Sequence, residues 1–341
     1  DIYRRDFNSF NFRGRDRNTT FEQATTGFSA RLGVPLTEYM SLVGSYTLNY
    51  EEVSLAENLF FSDLDGDGTR ECDPLLAGRF LCDALGERLS SILGVSLNYN
   101  SLNSRIRPSR GRLITLTSEF AGLGGDVRYV RFRGRAQQFW NVANSGFIFS
   151  LLAEGGTIIP LQDRGGPNVD DVLLTDRFFL GEPQIRGFDI RGVGPRILTQ
   201  PYITDEDGNR VPITNRRQIR DDALGGRNYY LARAELEVPL GTGARELGLR
   251  PSIWVDVGAL WGVDPPVLQD NPNGIQSVDG DGNPIFIDPD GNLTLAPSQP
   301  DGTLNDPAIR PNSAIREVFL GDSPSPRITA GIGVNWNSPF G

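Results

Sequence analysis

The sequence lacks lysine and histidine: all 33 basic residues are arginines, and 341 residues include only two cysteines and one methionine. Without histidine there is no Ser-His-Asp triad, no HExxH zinc site and no histidine general base. Walker, GxGxxG and GxSxG motifs are also missing, so we expect no enzymatic activity. The formal net charge of −10 repels phosphate groups and argues against nucleic acid as a partner.

Long apolar runs are missing as well, because no stretch of about 18 consecutive apolar residues occurs. This absence excludes a transmembrane helix. It does not exclude a membrane β-barrel, since a barrel strand shows an apolar side chain to lipid only at every second residue.

The two cysteines, Cys72 and Cys82, lie close together in a polar segment. Such a pair can be half of a metal site, a redox pair or a structural disulfide. The CxxC spacing and a second cysteine pair are both missing, which favours a disulfide that pins a loop outside the cytoplasm.

What the sequence does contain is a two-residue alternation of apolar and polar side chains, which is typical of half-exposed β-strands. In 229–238 the polar face carries Glu235 and Glu237, and in 250–258 it carries Asp256. The same alternation is found in four further segments, at 24–34, 40–50, 128–136 and 327–336.

The lengths of the strands and connections distinguish a membrane barrel from a soluble sandwich. The predicted strands run about 10–14 residues, against about 5–6 in globular proteins and about 9–11 for a tilted strand that crosses a bilayer. Short turns alternate with long loops, which places the long loops on one rim, as in outer-membrane barrels. We therefore predict an all-β fold, a transmembrane antiparallel β-barrel, with long surface loops at 54–88, 159–176, 182–227 and 262–325.

One long loop opens with DRFFLGEPQIRGFDIRGVGPR (176–196) and contains the tetrapeptide Ile185-Arg186-Gly187-Phe188. Glu237 and Asp256 lie on the polar faces of the next two strands, and a guanidinium can bind carboxylates through two parallel hydrogen bonds. Two alternatives stay open on this pattern alone. Either Arg186 folds into the barrel and pairs with these acids, or it stays at the surface while the acids solvate the lumen.

The segment 176–196 resembles the sixth extracellular loop of the BamA family of outer-membrane assembly factors, whose hallmark is an Arg-Gly-Phe/Tyr triplet. Further pieces resemble the same family in the same order over nearly the whole chain: RLGVPLTEY (31–39), RPSRG (107–111), AGLGGDVRY (121–129), DDALGGRNYYLARAELEVPL (221–240), WVDVGALWG (254–262) and ITAGIGVNWNSPFG (328–341). The resemblance implies that 185–188 anchors the loop inside the barrel, with Arg186 paired to Glu237 and Asp256.

The same resemblance implies a barrel of about sixteen strands in the outer membrane of a Gram-negative bacterium. We expect this chain to cover about eleven of them, without the first and last strands and without the family's periplasmic POTRA domains. The implied function is the insertion of other β-barrel proteins, with nascent outer-membrane proteins, assembly lipoproteins, outer-membrane lipid and lipopolysaccharide as partners. The alternatives are a related translocation or assembly barrel, such as a TamA-like protein or a secretion translocase, and a passive porin-type channel.

One acidic segment resembles the first half of a calcium-binding loop, through Asp63, Asp65 and Asp67. Pro74 stands where the glutamate at the twelfth position is expected, and similar Asp/Gly runs recur at 279–282 and 288–291. A solvated acidic loop is the favoured interpretation, so we expect no cofactor, with calcium in the surface loops as the open alternative.

Overall fold

The computed structural model describes residues 1–11, 18–63, 68–77, 82–142, 145–164, 169–240, 249–279, 281, 283–310 and 313–336. Ten long antiparallel strands form one sheet, in which each strand pairs with its neighbour in the order in which they follow along the chain. They are β1 Ile2–Asn11, β2 Asn18–Pro35, β3 Met40–Leu55, β4 Gly86–Asn100, β5 Gly111–Gly125, β6 Tyr129–Val142, β7 Phe147–Pro160, β8 Asn228–Glu237, β9 Leu249–Trp261 and β10 Arg327–Trp336.

The predicted all-β fold is confirmed, and the alternation in the sequence explains the two faces of the sheet. On the outer face of β10, Ile328, Ile332 and Val334 are 64, 84 and 63% exposed. Such a continuous apolar surface is suited to lipid. The sheet contains ten strands, where the sequence predicted about eleven, and β1 and β10 are the outer strands of its described part.

Because neighbouring strands are antiparallel, successive connections lie on opposite rims. The turns 36–39 and 101–110 share one rim with the described residues that join β6 to β7 and β8 to β9. The other rim carries three long loops, named L1 (56–85), L2 (161–227) and L3 (262–326), together with the tight connection 126–128. The loops predicted at 159–176 and 182–227 are two parts of L2, and 126–128 departs from the predicted alternation of lengths.

The long loops have secondary structure of their own. A four-stranded sheet combines Arg196–Thr204, Arg210–Pro212 and Arg220–Ala223 of L2 with Ile315–Leu320 of L3. L3 also contains the small strands Phe286–Ile287, Leu293–Thr294 and Asp306–Pro307, and L2 contains the 3₁₀-helix Leu174–Asp176. L1 contains the paired strands Phe61–Ser62 and Glu71–Cys72 and the one-turn helices α1 (Glu57–Phe60) and α2 (Pro74–Ala77). Among the helices of the described residues, none has the length and apolar character needed to cross a membrane.

The main apolar core lies between L2 and the inner face of the sheet. Ile185 and Leu180 of L2, which are 0 and 2% exposed, pack in one cluster with Leu231 of β8 and Leu260 of β9. Full burial of a large aliphatic side chain contributes about 1.5–3 kcal/mol. L2 is therefore held inside the barrel by apolar burial before any of its polar contacts is considered.

Candidate functional site

The centre of the candidate site is an ion pair between Arg186 of L2 and Asp256 of β9. The Nε of Arg186 donates to Oδ2 of Asp256 at 2.9 Å and its Nη2 donates to Oδ1 at 2.8 Å. The backbone N–H of Arg186 also donates to Oδ2, at 3.0 Å. Asp256 is fully buried, so the carboxylate exchanges its water for three hydrogen bonds from one residue, a geometry that fixes the loop both in position and in orientation.

Two more side chains of the barrel hold the same guanidinium. Its Cζ lies 3.9 Å from the ring centroid of Trp254, which places the cation on the indole face. Its Nη1 donates to Oε2 of Glu235 at 3.1 Å. Arg186 therefore rests on an aromatic face while its hydrogen-bonding edges meet two carboxylates.

Arg233 of β8, which pairs with Asp256 across the strands, completes the cluster. Its Nε donates to Oδ1 of Asp256 at 3.0 Å, and its Nη2 donates to the backbone carbonyl of Gln184 at 2.8 Å. Two arginines thus balance two carboxylates, and Arg233 additionally holds the loop backbone. This balance limits the desolvation cost that an isolated buried pair would carry.

Of the two predicted partners of Arg186, the structure brings Asp256 into contact and leaves Glu237 outside. Glu237 lies opposite Ser252, and its Oε2 is 3.5 Å from Nη1 of Arg250. The prediction of Glu237 as a partner is therefore wrong by one pleat, because Glu235 occupies that role two residues earlier on the same face. Along β8, Glu235 lies two residues, about 6.6 Å, beyond Arg233, which pairs with Asp256. Glu237 lies four residues, about 13 Å, beyond Arg233, which is too far for a guanidinium that also holds Asp256.

The site also includes three residues that the sequence pattern did not single out, namely Trp254, Arg233 and Glu235. All three lie on the polar face of a predicted strand, so their inward orientation could be predicted from parity. Parity does not predict how deep L2 reaches into the barrel. That depth decides which inward-facing residues of each strand contact Arg186.

Backbone conformation and packing explain the residue types next to Arg186. Gly187 has φ +82°, a left-handed conformation that suits glycine, and a Cβ there would lie 3.4 Å from Thr329 Cγ2 of β10. Ile185 is buried in the apolar core, and Phe188 packs against that core from its edge. The tetrapeptide thus combines a buried apolar residue, the ion-paired arginine, a glycine in a left-handed conformation and an aromatic side chain that packs against the core.

The matched pair Glu235 and Glu237 gives a direct test of this register. Glu235→Gln should weaken loop docking by about 1 kcal/mol, because a charge-assisted hydrogen bond becomes a neutral one. Glu237→Gln should leave the loop unchanged. Hydrogen–deuterium exchange of residues 184–190 in both variants measures the effect, and an equal response of the two variants would contradict the assignment.

A second ion pair fixes L2 nearer its rim. Nη2 of Arg177 lies 3.5 Å from Oδ1 of Asp170, and both side chains are almost fully buried. Arg177 also donates from Nη1 to the carbonyl of Leu224 and from Nε to the carbonyl of Val172. Burial lowers the pKa of Arg177, and the neighbouring Asp170 opposes that shift. The guanidinium thus joins the two ends of L2, which stabilises the loop as a folded unit.

The disulfide predicted between Cys72 and Cys82 is confirmed. The sulfur atoms are 2.00 Å apart and the Cα atoms 5.6 Å apart, within the geometry of a disulfide. The bond closes part of L1 on the long-loop rim, as expected for a small cross-linked surface loop.

Of the three predicted calcium ligands, Asp63 is among the described residues. Asp65 and Asp67 lie outside the described residues, and Asp63 accepts a hydrogen bond from the backbone of Gly68 at 3.0 Å. Across the residues that the structure does describe, no group of three or more acidic or cysteine side chains is arranged to hold a metal ion. Calcium binding by Asp63, Asp65 and Asp67 stays a prediction.

The later acidic runs have a structural role in turns. The Oδ1 of Asp279 accepts from the N–H of Asn283 at 2.7 Å, and Asp288 does the same with Asn292 at 2.8 Å. The backbone N–H of Asn292 also holds the pKa of Asp288 below its ordinary value. Each aspartate therefore closes a tight hairpin turn through its own side chain.

Comparison with known proteins agrees with this geometry. A family model described as the Omp85 superfamily domain matches residues 2–341. The outer membrane protein assembly factor BamA of Neorickettsia risticii (strain Illinois) is 27% identical over 252 residues, 74% of this chain and 28% of that protein. The sorting and assembly machinery component 50 homolog of Bos taurus is 31% identical over 161 residues, 46% of this chain and 27% of that protein.

Among solved structures, the crystal structure of BamA from Haemophilus ducreyi lacking POTRA domains 1-3 superposes with a TM-score of 0.57 at 18% identity, covering 99% of this chain and 52% of that one. This likeness shows the fold. The chain spans little more than a quarter of the length of the two curated relatives. Because the family model covers nearly every residue, the chain belongs to the Omp85 superfamily.

Proposed function

We propose that this chain is the membrane barrel of a factor that inserts and folds other β-barrel proteins in the outer membrane of a Gram-negative bacterium. The observation that carries the proposal is L2, which folds into the barrel and is held there by Arg186 on Asp256. The relatives named outer membrane protein assembly factor and sorting and assembly machinery component support the same activity.

The mechanism rests on the chemistry of sheet edges. An edge strand offers a row of unpaired N–H and C=O groups, and an incoming strand can pair with them as in β-augmentation. The anchored loop stiffens the wall formed by β8, β9 and β10, so that pairing and release take place at a seam elsewhere in the complete barrel. Nascent outer-membrane proteins are the substrates, and assembly lipoproteins, outer-membrane lipid and lipopolysaccharide are the further partners.

The porin alternative conflicts with the interior of the barrel. Nη2 of Arg131 on β6 donates to the carbonyl of Asp176 in L2 at 2.7 Å, and the ring of Phe178 packs edge-on against Tyr229 of β8 at 4.6 Å. Side chains of L2 thus occupy space that a diffusion channel leaves to water.

Reconstitution separates these functions. Vesicles that contain the full-length protein should accelerate the folding of an unfolded eight-stranded barrel protein over empty vesicles, with no large steady conductance in planar bilayers. Steady, wide conductance without acceleration would support the porin. Secretion of a soluble passenger without barrel insertion would support a translocase.

The sidedness of the barrel gives a further prediction. Single cysteines at Thr37, on the short-turn rim, and at Asp207, in L2, should respond in opposite ways to an impermeant maleimide on intact cells. Asp207→Cys should be labelled and Thr37→Cys protected, because the long loops face outwards in outer-membrane barrels. Labelling of both positions from outside would contradict the assigned topology. The paired Cys72 and Cys82 do not react with maleimide.

A further inference from the structure

L1 makes polar contacts with both of the other long loops. The two aspartates that make these contacts directly follow the two cysteines in the sequence. Asp73, which follows Cys72, accepts from Nη2 of Arg310 in L3 at 2.5 Å. Asp83, which follows Cys82, binds Arg164 of L2 through two hydrogen bonds, at 2.9 and 3.0 Å. The disulfide therefore couples an anchor for L3 to an anchor for L2.

Both anchors have further hydrogen bonds. Asp73 is 3% exposed, and it also accepts from Ser62 and from the backbone N–H of Leu75 at the start of α2. The guanidinium of Arg164 also donates to the carbonyl of Asp170, the acid that pairs with Arg177. A third contact runs from Nη1 of Arg220 in L2 to the backbone carbonyls of Leu75 and Leu76 in α2, each at 3.2 Å.

These contacts cross the mouth of the barrel. L1 leaves the sheet between β3 and β4, whereas L3 leaves it between β9 and β10. Five inter-strand steps separate β4 from β9, which is roughly 25 Å along the sheet. Loops rooted so far apart meet only by spanning the opening, and the sheet shared by L2 and L3 joins them there.

We propose that the Cys72–Cys82 disulfide, with Asp73 and Asp83 beside it, is a redox-sensitive latch that holds L2 and L3 together as a cap across the long-loop mouth of the barrel. Reduction of Cys72–Cys82 by a dithiol adds two electrons and two protons, gives two thiols and oxidises the dithiol to a disulfide. Asp73 and Asp83 then lose the disulfide cross-link that holds their two positions together. Each ion pair must order its own part of L1 separately, at a higher cost in conformational entropy. The contacts to Arg310 and Arg164 weaken together, and the cap loosens while the membrane sheet stays intact.

The test is hydrogen–deuterium exchange of the full-length protein in detergent, oxidised and after treatment with dithiothreitol, together with the variant C72S/C82S. We expect reduction and the double substitution to give the same result: at least several-fold faster exchange at 162–164 in L2 and at 308–310 in L3. The strands of the sheet should exchange as before. Dithiothreitol should have no effect on C72S/C82S, which controls for actions of the reductant elsewhere.

Two single variants separate the arms of the latch. Arg310→Gln should release L3 alone and Arg164→Gln should release L2 alone, whereas reduction releases both. Asp207→Asn, a change at an exposed acid in an L2 turn, serves as the matched surface control. Faster exchange confined to L1, or unfolding of the barrel on reduction seen as loss of its heat-modifiable migration, would overturn the proposal.

Discussion

Replacing Arg186 with Ala is expected to release L2 from the lumen while the barrel stays folded. The substitution removes three side-chain hydrogen bonds and the contact with Trp254, and it leaves the buried Asp256 with Arg233 as its cationic partner. Breaking one side of a buried ion pair costs about 3–5 kcal/mol. Because Arg233 remains, we expect about 3 kcal/mol, or roughly a hundredfold in the opening equilibrium of the loop.

The measurement is hydrogen–deuterium exchange and protease sensitivity of L2, combined with the rate of client folding in reconstituted vesicles. Arg186→Lys should recover only part of both, because an ammonium lacks the planar fork that meets Asp256 with two parallel hydrogen bonds. The lipid-facing residues are untouched, so heat-modifiable migration should stay normal. Loop exchange at the wild-type rate in Arg186→Ala would remove the ion pair as the anchor.

The second large effect is expected at Gly331 of β10, a residue that belongs to neither the loop nor the carboxylate pair. Gly331 pairs with Trp254 in the sheet, and a Cβ placed on it would lie 2.5 Å from Trp254 Cζ2. The indole therefore lies over the space that glycine leaves open. Gly331→Ala should push the ring away from the Arg186 guanidinium, at about 1–3 kcal/mol for an overpacked contact.

Gly333 supplies the matched control, because it lies on the same strand and the same face. A Cβ there would meet its nearest atom, Nε1 of Trp254, at 3.7 Å, which is ordinary contact. Loop exchange should therefore rise in Gly331→Ala and stay unchanged in Gly333→Ala. In the Arg186→Ala background the effect of Gly331→Ala should largely disappear, since the two changes act on one contact. Additive effects in this double-mutant cycle would show that Gly331 acts elsewhere.

Most of the fold could be predicted from the alternation of apolar and polar side chains. Ile253 and Val255 face outwards while Trp254 and Asp256 face inwards, as parity requires once the strand is recognised. The position of the long loops followed from connection lengths, although 126–128 shows that a connection on that rim can also be tight. The disulfide could be predicted because two cysteines in a polar segment have few other uses in this chain.

The residues that form the candidate site depend on the depth of L2 in the barrel, and no local sequence pattern encodes that depth. Parity assigns Arg233, Glu235 and Glu237 equally to the lumen, and each could face Arg186. The choice among them depends on how deep L2 reaches, which is set by the burial of Ile185 in the core between L2 and the sheet. That depth brings Arg186 level with Asp256 and Glu235 and leaves Glu237 to Arg250.

The sequence by itself therefore indicated the strands, their inner and outer faces, the loop that carries Arg186, and Asp256 as one of two candidate partners. Only the tertiary structure decided that Glu235 is the second carboxylate, that Trp254 is the surface beneath the guanidinium, and that L1 joins L2 to L3. The physical reason is that strand periodicity is a local property of the chain. Loop depth and contacts across the mouth arise from packing among segments far apart in sequence. Which residues meet there depends on distances in the folded barrel, and a local pattern does not contain those distances.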